Sequence, residues 1–163
     1  MKKLSVFFIA ACLVFGLTGA SFAQSHTVNV SLLAINVITV TGGDVDLQIS
    51  TATPNQDPEA ATDNSTCDVL WATNVSSRSI YVQSDADPVD FVVTVEAQGI
   101  VASSGVPASV GVIDVQNTGG ASEFISGVGK TYGKADLAYS ASCDIDVDPT
   151  AAESFVVTYT IAP

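Results

Sequence analysis

Positively charged side chains are scarce in this sequence. It carries 17 Asp or Glu residues against 5 Lys or Arg residues, which gives a net charge of −12 over 163 residues. A surface this acidic repels nucleic acid and anionic lipid, so we exclude both as partners. The same charge keeps an exported protein in solution, and it can attract divalent cations or a basic surface.

Histidine is rarer still, and catalysis finds little support. The lone His26 lies close to the expected mature N-terminus, where chains fray, so it is a poor general base. No serine lies in a G-x-S-x-G elbow. A glycosidase needs only two carboxylates, but no pair stands out among the acidic residues. We therefore predict that the protein is not an enzyme, with no catalytic residues and no cofactor apart from the calcium alternative described below.

Helical periodicity is also missing. No window of about a dozen residues repeats its apolar side chains every 3.6 positions. Short runs that alternate apolar and polar residues are instead separated by turns about every ten residues. This pattern predicts an all-β fold, a single antiparallel β-sandwich of about 8–10 strands. Trp71 follows Cys67 too closely for an immunoglobulin topology to be expected.

The apolar alternation also predicts where strands and loops lie. We expect a long loop over Thr51–Thr66, a second loop over Gly99–Pro107 and an irregular stretch over Glu123–Lys134. The strands are predicted over a kinked run from His26 to Val40 and around Val45–Ile49, Cys67–Asn74, Ile80–Val82, Phe91–Val95, Val110–Val115, Ala135–Val147 and Ser154–Ile161.

Long apolar runs are absent except at the N-terminus. Met1-Lys2-Lys3 is followed by an uncharged stretch from Leu4 to Ala20, and Ser21-Phe22-Ala23 has the small-x-small form of a cleavage site. We predict a bacterial signal peptide over residues 1–23 and a secreted domain over 24–163, in the periplasm or at the cell exterior, with no membrane attachment after cleavage. A retained anchor and lipoprotein processing at Cys12 are the alternatives.

Cysteine is limited to three residues, and the leader removes Cys12. Cys67 and Cys143 then remain in an oxidising compartment. Alternate side chains of a strand share a face, so Cys67 points the same way as Trp71, and Cys143 lies on a matching apolar face. We predict a Cys67–Cys143 disulfide packed around a buried Trp71. Two cysteines and one histidine cannot complete a tetrahedral metal site.

The strongest acidic pattern lies at the end of the strand predicted over Ala135–Val147. Asp144, Asp146 and Asp148 alternate there and would share its solvent face, roughly 7 Å apart from one to the next. That spacing is too wide for three carboxylates to converge on one ion, although D-x-D-x-D also opens many calcium loops. A solvated acidic face is the main prediction, and a calcium site is the alternative.

A second acidic group surrounds the turn that precedes Phe91. Asp85 and Asp87 flank this turn, and Asp90 follows it. Aspartates at turns usually hydrogen-bond to the local backbone, which explains them without a ligand. The three carboxylates together also offer the oxygen ligands that Ca²⁺ prefers, so a loosely held calcium ion is an alternative here too.

A regular apolar alternation follows the expected cleavage site directly. Val28, Val30, Leu32 and Ala34 are spaced by two in a region where most chains are disordered. Two interpretations stay open. The segment from His26 to Ala34 is either the first strand of its own sheet, or a strand that pairs with a neighbouring subunit.

The spacing of this segment resembles the donor segment of bacterial pilin and coat-type subunits. The polar body and the loosely matching Val157-Thr158-Tyr159-Thr160 are also similar to that family, whereas the predicted disulfide joins later strands than is usual there. The resemblance implies a structural or adhesive surface subunit that assembles with itself or with other surface proteins by strand addition. The alternative is a module that binds glycans or calcium, with Tyr81, Tyr132 and Trp71 as the aromatic platform candidates.

Overall fold

The alternating apolar residues form ten β-strands and no helix across the residues that the computed structural model describes, which are 27–115, 118–149 and 152–163. Nothing in that part of the chain is a helix able to cross a membrane. Contacts divide the chain into two units, Met1–Leu32 and Leu33–Pro163, and all ten strands lie in the second. The strands are β1 Asn36–Thr41, β2 Ala61–Asp63, β3 Asp68–Thr73, β4 Arg78–Ser84, β5 Val92–Ala102, β6 Ala108–Ser109, β7 Ile113–Asp114, β8 Ser122–Val128, β9 Thr131–Ser142 and β10 Val157–Ala162.

Two antiparallel sheets make up this unit, and they confirm the predicted β-sandwich. The first sheet has the strand order β1-β3-β9-β5-β7, with β2 pairing with β9 beyond the end of β3. The second sheet has the order β10-β4-β8-β6. The long strand β9 is central because it pairs with β2, β3 and β5. Strands β1 and β10 each end a sheet.

The core lies between the two sheets and contains Trp71, as predicted. The indole packs over Gly133 of the neighbouring strand, where a side chain would collide with it. Across the core, the rings of Phe124 and Tyr159 have their centroids 5.3 Å apart at an angle of 55°. The Tyr159 hydroxyl forms a hydrogen bond of 2.7 Å with the Tyr139 hydroxyl. The surrounding buried residues are mainly aliphatic, as a dry sandwich core requires.

Three segments predicted to be loop or irregular contain strands. β2 (Ala61–Asp63) lies within the predicted loop Thr51–Thr66. β5 runs through Gly99, because the positive φ of this glycine (58°) permits a bulge and the strand resumes its pairing with β9 at Val101. The stretch Glu123–Lys134 belongs mostly to β8 and to the start of β9, although its pairing with β4 shifts register. Gly99 and Gly127, both with positive φ, thus lie inside strands and do not end them.

The stretch Asp44–Ser50 has the side-chain pattern of a strand without the pairing of one. Val45, Leu47 and Ile49 pack against the core, and the residues between them are exposed. No described residue pairs with this stretch in a ladder. The prediction of a strand here is therefore right in its alternation and wrong in its hydrogen bonding, since pairing depends on a neighbour that the local sequence does not specify.

Candidate functional site

The predicted assembly segment is exposed and belongs to no strand. Val28, Val30 and Leu32 all present most of their surface to solvent, and the first strand begins only at Asn36. Ala34 is exposed as well. The segment is therefore not a strand of its own sheet, which was one of the two interpretations. His26 and the predicted leader lie outside the described residues and stay predictions.

The Asn74 side chain fixes the chain where this segment ends. Its Nδ2 donates to the Leu33 carbonyl at 2.8 Å, and its Oδ1 accepts from the Ile35 amide at 2.7 Å. The Asn74 amide also donates to the Ile35 carbonyl at 3.2 Å. Sequence reasoning missed this role, because a single asparagine after a strand does not indicate which distant backbone it will contact.

The outer edge of β1 is open in the part of the chain that the structure describes. β1 pairs only with β3, in an unbroken register from Asn36 opposite Thr73 to Thr41 opposite Asp68. Val40 lies on the same face as Ile38, which packs against the core, yet it is 45% exposed. Val40 thus lies on the last strand of its sheet among the described residues, with nearly half of its surface exposed.

The N-terminal part of the chain also differs from the rest in charge. The first acidic residue is Asp44, so the exposed segment and β1 both lie in the part of the sequence that has no carboxylate side chain. All 17 acidic residues lie at Asp44 or beyond it in the sequence. β1 itself therefore presents no carboxylate side chain to an approaching molecule.

The predicted acidic residues partly converge on one cleft of about 810 Å³. Asp87 and Asp90 line it from one segment, and Asp144 and Asp146 line it from another. Asp57 and Asp114, which were not predicted as site residues, also line it. Asp85 and Asp148 are not among the lining residues. Apolar residues, including Phe91 and Val115, form part of the wall. The cleft can attract cations through its charge.

Hydrogen bonds hold several of these carboxylates in place. Asp87 accepts from the amide of Thr118 at 2.9 Å and from its hydroxyl. Asp57 accepts from the Ile145 amide at 3.3 Å. Within the described residues, no three His, Cys, Asp or Glu side chains are placed to hold a metal ion. The described carboxylates thus line a cleft without converging on one metal-binding point.

The alternating face predicted for Asp144–Asp148 is wrong. β9 ends at Ser142, and the chain then turns, with the Val147 amide donating to the Asp144 carbonyl at 3.3 Å. The predicted strand over Ala135–Val147 therefore begins and ends too late. The physical reason is that the ladder between β5 and β9 reaches its last pair at Val92 and Ser142, and no described strand pairs with the chain beyond it.

The predicted disulfide is also wrong, because the register of β3 and β9 separates the two cysteines. The Leu137 amide donates to the Cys67 carbonyl at 2.9 Å, so Cys67 lies opposite Leu137. Cys143 is six residues further along, roughly 20 Å away in an extended chain, whereas bridged cysteines have Cα atoms within about 7 Å. Both thiols are free. Burial raises the pKa of the Cys67 thiol, which donates to the Gly43 carbonyl at 3.1 Å.

Aromatic residues do not form a sugar-binding platform in the described part of the chain. Trp71 is buried in the core. Tyr81 is half-buried, and its hydroxyl donates to the carbonyl of Pro163 at 3.0 Å. Tyr132 alone of the three candidates is widely exposed. A stacking site needs a flat exposed ring with further contacts around it, so the glycan alternative rests on one side chain.

Comparisons of the chain with protein-family models, with curated proteins and with solved structures found no match.

Proposed function

We propose that the protein is an exported structural or adhesive surface subunit that assembles by strand addition. The observation that carries this proposal is the exposed segment Val28–Ala34, whose apolar side chains alternate as in a strand although the segment has no strand partner. Exposed apolar residues at this spacing are stabilised when they pair with a sheet and bury one face. A second copy of the chain supplies such a sheet.

The stretch Asp44–Ser50 supports the proposal as an acceptor. Its inward side chains are already packed on the core, and its backbone has no ladder partner among the described residues. An added strand therefore gains main-chain hydrogen bonds without first displacing a native strand. The exposed segment brings no carboxylate, so it does not repel the acidic side chains on the acceptor stretch, such as Asp46.

The test is to measure how assembly of the mature protein depends on its concentration, by analytical ultracentrifugation. Val30→Asp places a charge on the donor face, and we expect it to raise the concentration needed for assembly by about tenfold or more. Val106→Asp is a matched control, since Val30 and Val106 are 89% and 88% exposed. The control variant should assemble as the unaltered protein does. A strict monomer at millimolar concentration would refute the proposal.

A second candidate function is cation binding at the acidic cleft. The observation that favours it is that Asp90 and Asp144, from distant segments, line the same cavity. If calcium binds there, adding it raises the thermal unfolding midpoint, and Asp90→Asn with Asp144→Asn removes that rise. Asp46→Asn, outside the cleft lining, is the control. An unfolding midpoint that calcium leaves unchanged excludes this function.

A further inference from the structure

We infer that β1 is the interface of a two-fold dimer, in which the outer edge of β1 pairs antiparallel with the same edge of a second copy. This interface is distinct from the donor segment of the proposed function and does not depend on it. It joins the first sheets of two molecules into one continuous sheet.

The hydrogen-bonding direction along β1 follows from its pairing with β3. The Asn74 amide donates to the Ile35 carbonyl, so residue 35 directs its backbone groups toward β3, and residues 37, 39 and 41 do the same. The alternate residues Asn36, Ile38 and Val40 direct their amides and carbonyls outward. The edge therefore presents three donors and three acceptors that have no partner strand in the described part of the chain.

These outward groups are self-complementary about Ile38. In an antiparallel pair with a two-fold axis at this residue, Ile38 faces Ile38 of the second copy, and Asn36 faces Val40 of the second copy. All six groups of each copy then form hydrogen bonds. The same register places Val37 beside Thr39 of the second copy, and it covers the exposed surface of Val40.

The edge of β1 lacks the devices that keep edge strands apart. It contains no lysine, no proline and no bulge, and its residues are β-branched except for Asn36. Natural sheets usually block such an edge with charge, proline or irregular pairing.

The absence of charge on β1 suits a second copy as the partner. Outside residues 1–43 each molecule carries all 17 of its acidic side chains, so most approaches of two copies are repulsive. β1 itself carries no carboxylate, and the one acidic residue of β3 paired with it, Asp68 opposite Thr41, lies 3.7 Å from the Lys134 ammonium. Two copies can therefore meet along β1 without bringing carboxylates of the two β1 strands together.

The first experiment compares Val40→Pro with Val40→Ala in the otherwise unaltered mature protein. Proline replaces the valine side chain and also removes the outward backbone amide of Val40, which does not pair with β3. Alanine replaces the valine side chain but keeps that amide, so it is the control for the loss of the side chain. We expect Val40→Pro to weaken dimerisation by about tenfold or more, because each dimer loses two hydrogen bonds, and Val40→Ala to weaken it much less. Equal dimerisation of the two variants would overturn the inference.

Cross-linking gives a measurement that does not depend on the proline variant folding. The double variant Val37→Cys, Thr39→Cys puts residue 37 of one copy opposite residue 39 of the other, with their Cα atoms about 4.5 Å apart. Within one chain the Cα atoms of these two residues are roughly 7 Å apart and their side chains point in parallel, so a bridge inside one chain is disfavoured. Mild oxidation should yield a dimer whose linkage joins residue 37 to residue 39, as read by mass spectrometry. No such linkage, or only linkages between other positions, overturns the inference.

The Val30→Asp variant separates this interface from the donor segment. If both exist, that variant loses higher assemblies but keeps the β1 dimer. If only the β1 interface exists, Val30→Asp changes nothing and the proposed function fails alone. If Val30→Asp is monomeric at every concentration, dimerisation depends on the donor segment and the β1 inference fails.

Discussion

Gly133 leaves the space that the buried Trp71 indole occupies. A Cβ atom at this position would lie 2.5 Å from Cζ2 of Trp71 and 2.5 Å from the carbonyl oxygen of Val101. Neither neighbour can move freely, because the indole is buried and the carbonyl belongs to a strand. Glycine is required here for space, since its φ is not in the left-handed region.

We therefore expect Gly133→Ala to lower the free energy of unfolding by about 1–3 kcal/mol or more through overpacking. Urea unfolding followed by Trp71 fluorescence measures the change. Gly129→Ala is the matched control, because nothing lies within 4 Å of its Cβ position. An equal effect of the two substitutions would show that Trp71 is not constrained by Gly133.

The Tyr139–Tyr159 hydroxyl pair makes stability depend on alkaline pH. Burial, reinforced by the neighbouring Tyr139, raises the pKa of Tyr159 well above the usual value of about 10, and burial also raises the pKa of Tyr139. The unfolded chain therefore loses these protons first as the pH rises. The stabilisation is fully present below about pH 10 and is lost progressively above it.

Tyr159→Phe tests this dependence. At neutral pH it should cost about 0.5–1.5 kcal/mol, because the Tyr139 hydroxyl loses its partner. Above about pH 10 the difference from the unaltered protein should shrink, since phenylalanine has no proton to lose. Unfolding free energies measured from pH 7 to pH 11 give the comparison, with the exposed Tyr132→Phe as control. A difference that stays constant with pH would contradict the assignment.

At the scale of the strands, the register of β3 and β9 determines the state of the cysteines. Because Cys67 lies opposite Leu137, it is too far from Cys143 to form a bridge without unpairing β9. We expect two free thiols in the mature protein, with the partly exposed Cys143 reacting quickly and the buried Cys67 reacting only on unfolding. Thiol titration in native and denaturing buffer measures both, and an intramolecular bridge found by mass spectrometry would refute the register.

The sequence predicted the faces of strands far better than their partners. The alternation around Trp71 placed it correctly in the core. A period of two specifies which side chains are buried, but not which strand lies alongside. The disulfide prediction failed for this reason. The two cysteines were predicted on inward faces, but the strand register places Cys67 opposite Leu137, six residues away from Cys143.

Strand ends were the other part that the sequence did not specify. Gly99 interrupts the apolar pattern, yet β5 continues past it through a bulge. Asp144 continues the pattern, yet β9 has already ended. In each case the presence or absence of a neighbouring strand decides the outcome. The exposed segment of the candidate site was predicted in position, because its apolar spacing is local, whereas the acidic cleft depends on distant segments meeting.

For the whole molecule, net charge controls how closely copies can approach. If the predicted leader is removed, 3 basic and 17 acidic side chains remain, and the net charge is 3 − 17 = −14. At an ionic strength of about 0.1 M, salt largely screens the repulsion between exposed charges that are more than about 10 Å apart. Since the proposed contacts are uncharged, we expect added sodium chloride to strengthen assembly, as measured by sedimentation. Weaker assembly at high salt would indicate ion pairs at the interface instead.

In the stretch Asp44–Ser50, side chains pack on the core although the backbone has no described ladder partner, whereas core packing and ladder pairing usually occur together. Val45, Leu47 and Ile49 are anchored in the core through their side chains, while their amides lack ladder partners in the described part of the chain. These amides should therefore exchange rapidly with deuterium in the monomer, although the stretch is held in place. A strand docked there would slow them, while the amide of Val69, inside the first sheet, exchanges slowly in either case. Deuterium uptake at three positions thus becomes a direct measure of how many acceptor stretches are occupied.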